Sequence, residues 1–157
     1  MLNKPIIRFL IFLIANLLAL YIGVFLMNDG PRTDWYVSLE KAPWTPPNWM
    51  FGAAWTTIMI LFSGYMTKLS FQHNFLNKKL TLLYAVQWIL NVGWNFVFFN
   101  QRETVLGLVV ISILLLLIIY FTFNFKNELK RYSLLILPYF LWMIIATSLN
   151  TYIVLNN

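Results

Sequence analysis

Long apolar runs, broken at intervals by short polar clusters, set the pattern of this chain. Five runs stand out, at about 5–27, 47–68, 79–100, 104–125 and 132–155. Each is close to the roughly 20 residues that a helix needs to cross the hydrocarbon core of a bilayer. The breaks are a long loop at 28–46, a moderate one around Gln72-His73-Asn74, a tight turn at Gln101-Arg102-Glu103 and a basic turn from Lys126 to Arg131. The pattern predicts an all-α fold, a polytopic bundle of five transmembrane helices forming a single domain over residues 1–157. No tandem repeat or low-complexity tract interrupts it.

Composition supports a membrane solvent for that bundle. Hydrophobic residues make up 61% and charged residues only 10%, against about 25% charged in soluble domains. The net charge of +6 does not point to nucleic acid as a partner, because the basic residues are scattered over short loops beside apolar runs. Placing the N-terminus inside puts Lys4, Arg8, Lys68, Lys78, Lys79, Lys126, Lys130 and Arg131 on the inner face. Arg32, Lys41 and Arg102 are left outside, so eight of the eleven basic residues share one side. The positive-inside rule expects that bias of short loops. The C-terminus and the first long loop then lie outside. The first run is longer than a signal-peptide core and has no small-x-small cleavage site before Asp29-Gly30-Pro31, so it reads as a retained helix.

The absence of cysteine excludes disulfides, thiolate metal sites and Cys nucleophiles. The single histidine, His73, reads as a solvated loop residue and not as a metal or haem ligand. All five acids (Asp29, Asp34, Glu40, Glu103, Glu128) fall in loops, so no intramembrane carboxylate suggests a proton relay or ion path. No phosphate-binding loop and no Ser/His/Asp constellation is present.

Aromatic residues carry the chemistry instead. Four of the seven tryptophans lie between Trp35 and Trp55. Indole offers a flat apolar face and one N–H donor, which suits gripping a flat apolar ligand; the competing reading is a belt at the membrane–water interface. Thr45 is expected to cap the second span, with Pro46 and Pro47 in its first turn, so that Trp44 and Trp49 sit on a rigid corner. On that span Phe51, Met59 and Phe62 share the face of Trp55. In the third span Gln87, Asn91, Trp94, Asn95 and Phe98 fall on one helical face. Amides in hydrocarbon must be satisfied, so this face is either helix–helix glue or the wall of a pocket. Asn16 and Asn150 read as glue. In the fifth span Trp142, Ala146, Leu149 and Asn150 form a stripe, and Pro138 either opens that helix or kinks it. The fourth span, apolar nearly all round, reads as mainly lipid-facing.

Trp35-Tyr36, Pro43-Trp44-Thr45-Pro46-Pro47-Asn48-Trp49 with Trp55, Asn91-x-x-Trp94 with Phe98-Phe99, and Pro138-Tyr139-x-x-Trp142-x-x-x-Ala146-Thr147-x-x-Asn150 together resemble the TspO/MBR family. These are the tryptophan-rich sensory proteins of bacteria and the mitochondrial translocator (peripheral benzodiazepine receptor) proteins. The resemblance spans nearly the whole chain. It implies a five-helix bundle, in a bacterial cell envelope, with a pocket under the first long loop that takes porphyrins, sterols or benzodiazepine-site drugs. Carried over by motif, the ligand-binding residues are Tyr36, Phe51, Trp55, Asn91, Trp94, Trp142, Ala146 and Leu149, which favours the pocket-wall reading of the third span. Protoporphyrin IX or a haem-like tetrapyrrole is the implied ligand, membrane lipid the other partner, and a homodimer is left open. Two features depart from the family. No basic residue follows Leu149 and Tyr152 to complete the cholesterol-recognition pattern of animal members, and the third span has only Ala85 and Gly93 where some relatives carry a small-residue ladder for dimer packing.

Three functions follow from the resemblance. One is a tetrapyrrole-binding sensor or regulator, and another is a transporter of such molecules, for which the chain supplies neither an inverted repeat nor an ion-coupling site. The third is light-dependent porphyrin degradation, with Trp55 or Trp142 as electron donor in the catalytic role. A scaffold with an adventitious pocket is the remaining alternative.

Overall fold

The computed structural model describes residues 4–75 and 77–157; Met1-Leu2-Asn3, ahead of the first span, lie outside them. Among the described residues there is no strand. The helices are α1 (Pro5–Met27), α2 (Asp34–Ser38), α3 (Asn48–Gln72), α4 (Lys78–Asn95), α5 (Thr104–Asn124), α6 (Lys126–Leu129) and α7 (Leu137–Asn156). A π-helical segment, Phe96–Asn100, prolongs α4, and 3₁₀ turns at Gly30–Arg32 and Lys130–Ile136 precede α2 and α7. Five of these units are long and apolar enough to span a membrane, and the protein is an integral multi-pass membrane protein with an all-α fold.

Each long helix starts and stops for a local reason. Pro5 opens α1, where its missing N–H costs nothing. Asn28 and Asp29 end it in the left-handed region (φ 50° and 55°), which short polar side chains tolerate best after glycine. Pro138 lies in the first turn of α7 and opens that helix without kinking it. The second span begins otherwise than the sequence predicts. Pro47, extended at φ −62° and ψ 149°, stands at the N-cap, and Thr45 closes a turn on the Ala42 carbonyl through its N–H (2.9 Å) and its hydroxyl (2.7 Å). A residue that precedes proline is pushed out of the helical region, so Thr45 and Pro46 cannot begin a helix here. At its far end α3 runs one turn beyond the predicted Lys68, because Leu69 and Ser70 are buried there.

Packing explains which faces turn inward. On α1 the buried positions are Arg8, Phe12, Asn16, Ala19 and Gly23, a helical stripe. Asn16 joins three helices: its amide N–H donates to Ser63 Oγ (2.9 Å) and its carbonyl accepts from the Tyr84 hydroxyl (2.7 Å). The glue reading of Asn16 describes this geometry. Arg8 donates to the Ser70 carbonyl and, at 3.1 Å, to the Ser70 hydroxyl, with its guanidinium 3.9 Å from the Phe71 ring centroid. Most of the fourth span lies outside the protein interior, as its composition implies, and its inward face is a single stripe. Gly107, Ile111, Leu114, Ile118 and Phe121 of α5 form a buried stripe, and α5 packs along α7. Uniform hydropathy carries no period, so it cannot show which face is covered.

The core is dense towards the end where α1 begins. There Phe62 stacks near Tyr65 (6.0 Å) and Tyr84 (6.2 Å) and meets Tyr139 edge-on (5.4 Å), while the Tyr65 hydroxyl donates to the Phe121 carbonyl (2.7 Å). Towards the other end α1, α3, α4, α5 and α7 line a cavity together with residues of the 28–47 connection.

Candidate functional site

That cavity has a volume of about 430 Å³, within the range of small-molecule sites. Seven of the eight residues carried over by motif line it: Tyr36, Phe51, Trp55, Trp94, Trp142, Ala146 and Leu149. Phe51 and Trp55 form the α3 wall; Phe51 meets Trp142 edge-on (5.5 Å) within the lining, and Trp55 is braced edge-on by Tyr139 (5.9 Å) outside it. Trp94 forms the α4 wall; its ring lies nearly parallel to Phe98 at 5.1 Å, and its indole N–H donates to Asn150 Oδ1 at 3.1 Å. Asn150 in turn donates to the Thr104 carbonyl (3.1 Å). It is therefore both glue and wall.

Asn91 is the residue that the structure does not bring to the cavity. It is buried, and its amide N–H donates to the Tyr139 hydroxyl at 2.8 Å, beside a second donor, Gln87 Nε2, also at 2.8 Å. For Asn91 the glue geometry holds, because a protein acceptor satisfies the amide within the bundle. One turn further on, Asn95 reaches the lining instead, its amide N–H donating to the Asn91 carbonyl (3.0 Å).

The motif carry-over also misses Phe98, Phe99 and Ile153 in the lining. The π-helical segment explains the two phenylalanines. Its wider turn, with the Gln101 N–H bonded to the Phe96 carbonyl (3.0 Å), leaves both adjacent rings buried and edge-on to one another at 4.9 Å. The signals in the sequence are the adjacency in Phe98-Phe99 and the helical face that Phe98 shares with Trp94 and Asn95. Asp29 and Arg32 stand at the rim as an exposed pair, 3.6 Å apart.

The roof is built as carefully as the walls. Thr33 caps α2 by accepting from the Tyr36 N–H (3.4 Å) while its hydroxyl donates to the Gly30 carbonyl (2.7 Å). Gly30 sits on Phe99: a Cβ placed there would fall 2.5 Å from Phe99 Cβ. Lys41 donates to the carbonyls of Tyr36, Val37 and Leu39 (2.7–3.2 Å), neutralising the C-terminal end of α2. Burial raises the pKa of the Tyr36 phenol above its ordinary value, so it stays a neutral donor over the cavity. Trp35, one of the four tryptophans for which a belt is the competing reading, packs on Phe98 (5.9 Å) with the Arg102 guanidinium 5.9 Å from its ring. Trp44 and Trp49 remain 54% and 70% exposed, as a belt requires. The far end of the loop is tied to α7 through Glu40, whose N–H donates to Asn157 Oδ1 (2.8 Å) and whose carboxylate accepts from the Tyr152 hydroxyl (3.1 Å).

This arrangement, an aromatic cavity beneath a pinned first loop in a five-helix membrane bundle, agrees with the sequence comparison. A model of the TspO/MBR family matches residues 11–155. The chain belongs to the TspO/MBR family. It is 33% identical to the Tryptophan-rich protein TspO of Chlorobaculum tepidum over 85% of this chain and 90% of that protein. Identity to the Tryptophan-rich sensory protein of Cereibacter sphaeroides is 30%, covering 90% and 86% of the two chains. The human Translocator protein is 30% identical over 88% of this chain and 83% of its own length. Among the described residues no group of three His, Cys, Asp or Glu side chains converges as a metal site would require. His73 faces Glu128, Nε2 to Oε2 at 2.8 Å, at the opposite end of the bundle.

Proposed function

We propose that this protein is a membrane-embedded sensor or regulator that binds a flat, mostly apolar macrocycle of the tetrapyrrole class in the cavity beneath the first loop. The carrying observation is the lining. Phe51, Trp55, Trp94, Phe98 and Trp142 line most of a cavity of about 430 Å³, with Asp29, Arg32, Asn48, Asn95 and Asn150 as its charged and amide members, and extended π faces match the aromatic part of that surface. The ligand set on this reading is Tyr36, Phe51, Trp55, Trp94, Trp142, Ala146 and Leu149. Asn91 acts behind the wall by holding Tyr139. The Trp142 indole N–H is buried without a hydrogen-bond partner among the described residues. The same aromatic surface accommodates drugs of the benzodiazepine-site type.

Protoporphyrin IX titrated into the purified protein in detergent tests this. Saturable quenching of tryptophan fluorescence is expected, with Trp55→Ala and Trp142→Ala each weakening the apparent affinity. Binding indifferent to both changes would remove the cavity from the reading.

A second reading, transport, rests on the name of the human relative. It requires ligand flux in proteoliposomes that stops when the cavity is altered. Photo-oxidative breakdown of bound porphyrin by dioxygen, with Trp55 or Trp142 donating an electron to the photoexcited macrocycle, requires a light- and oxygen-dependent spectral change that is lost in Trp→Phe variants and absent without protein. Orientation belongs to the same proposal. The end of the bundle bearing Lys4, Arg8, Lys68, Lys78, Lys79, Lys126, Lys130 and Arg131 faces the cell interior, and the roofed cavity opens outward.

A further inference from the structure

A second cleft, of about 580 Å³, lies at the opposite end of the bundle from the aromatic cavity. The start of α1, the last turn of α3 and the α6–α7 junction form it. Its lining is of two kinds. Pro5, Phe71 and Leu129 supply apolar surface, and Lys68, Lys130 and Arg131 supply three positive charges. We propose that this cleft is a binding site for the phosphate headgroup of an anionic phospholipid in the leaflet it faces.

Three observations carry the assignment. First, two of the three cations are gathered around one ring. The Lys68 ammonium lies 4.4 Å from the Tyr132 ring centroid, and the Arg131 guanidinium lies 5.2 Å from it while donating to the Tyr132 hydroxyl at 3.3 Å. Second, the cations outnumber the acids in the lining. Glu128 is the only acid in the lining, and its carboxylate already faces His73 at 2.8 Å. The ion pairs among the described residues are Asp29–Arg32 and His73–Glu128, so none of the three cations belongs to one. Like charges held together repel unless an anion joins them. Third, Lys130 occupies a backbone conformation (φ 49°, ψ −122°) suited to glycine. Strain of that kind persists where the surroundings enforce it and clusters at ligand clamps.

A lipid fits better than a free phosphate. The cleft lies where the spanning helices leave the hydrocarbon, the level of the headgroups, and its apolar surface matches a glycerol backbone and the first carbons of the acyl chains. Basic pockets between transmembrane helices hold anionic headgroups in this way.

Native mass spectrometry of the full chain, released from micelles containing equal phosphatidylglycerol and phosphatidylcholine, tests the proposal. The wild type is expected to retain phosphatidylglycerol preferentially. Lys130→Gln and Arg131→Gln, both at exposed positions, should each lower that preference about fivefold, and the combination with Lys68→Gln should abolish it. Lys78→Gln with Lys79→Gln, on the same end but outside the cleft, should leave it unchanged. Equal retention of the two lipids by the wild type would overturn the site. So would an equal loss in the Lys78/Lys79 variant, which would mean general electrostatics. Displacement of the lipid by millimolar inorganic phosphate would reassign the cleft to a soluble anion and overturn the lipid. Protoporphyrin quenching serves as a folding control, because the cleft and the aromatic cavity share no lining residue.

Discussion

Tyr139 decides what several neighbouring residues do. Its hydroxyl accepts from Gln87 and Asn91, each at 2.8 Å, and its ring supports Trp55 at 5.9 Å. The Asn91 side chain therefore acts on the cavity through Tyr139, whereas Trp55 and Trp142 present their own surfaces. Two variants separate these roles. Asn91→Leu is expected to lower the thermal midpoint in detergent by the equivalent of about 0.6 kcal/mol, the usual worth of a hydrogen bond between transmembrane helices. Its protoporphyrin affinity should stay within about twofold, since an apolar residue of similar size removes no ligand contact. Trp142→Ala should lose about tenfold in affinity, as removal of a buried aromatic contact of roughly 1.4 kcal/mol implies. Equal losses in both variants would return Asn91 to the wall. The sequence places Asn91, Trp94, Asn95 and Phe98 on one face, and the structure agrees. Which of the amides meets a protein acceptor depends on Tyr139, 48 residues away from Asn91, and helical periodicity carries no information about such a partner.

At the scale of elements, the first loop acts as a roof because it is fastened at both ends. Gly30 rests against Phe99, Thr33 caps α2, and Glu40 is bonded to Asn157 and Tyr152. Gly30→Ala puts a methyl group within 2.5 Å of Phe99 Cβ. Neither atom is the mobile end of a flexible side chain, so the loop must lift. The expected cost is about 1–3 kcal/mol, read as faster proteolysis between residues 28 and 47 together with weaker porphyrin quenching. An unchanged cleavage rate would show that the loop floats free of the π-helical segment. Elements differ in how far they can be read in advance. The five spans follow from run length alone, while the Phe96–Asn100 segment does not, because a π turn differs from an α turn by a single backbone bond offset that no residue pattern here announces. The start of α3 is an intermediate case. The Pro46-Pro47 pair shows that a boundary is present, but the rule that residues before proline stay extended, and not the capping preference of threonine, sets where it falls.

At the scale of the whole molecule, the two ends of the bundle carry different chemistry. The three cations at the roofed end have local tasks: Lys41 neutralises the carbonyls that end α2, Arg32 stands beside Asp29, and Arg102 lies near the Trp35 ring. The opposite end holds the remaining eight, so the charge available to fix orientation is concentrated there. The fold ties the first loop to the C-terminus through the Glu40–Asn157 hydrogen bonds, which puts Asp34 and Asn157 on one side whichever way the bundle is inserted. Single cysteines introduced into this cysteine-free chain at Asp34, Asn127 and Asn157 therefore test two things separately. Asp34→Cys and Asn157→Cys must respond alike to a membrane-impermeant maleimide, with Asn127→Cys opposite, if five helices span the bilayer. Labelling of the first two in intact cells, with Asn127→Cys labelled only after lysis, fixes the basic end inside. The reverse result would keep the five-helix fold, overturn the charge-based orientation and turn the mouth of the aromatic cavity towards the cytoplasm.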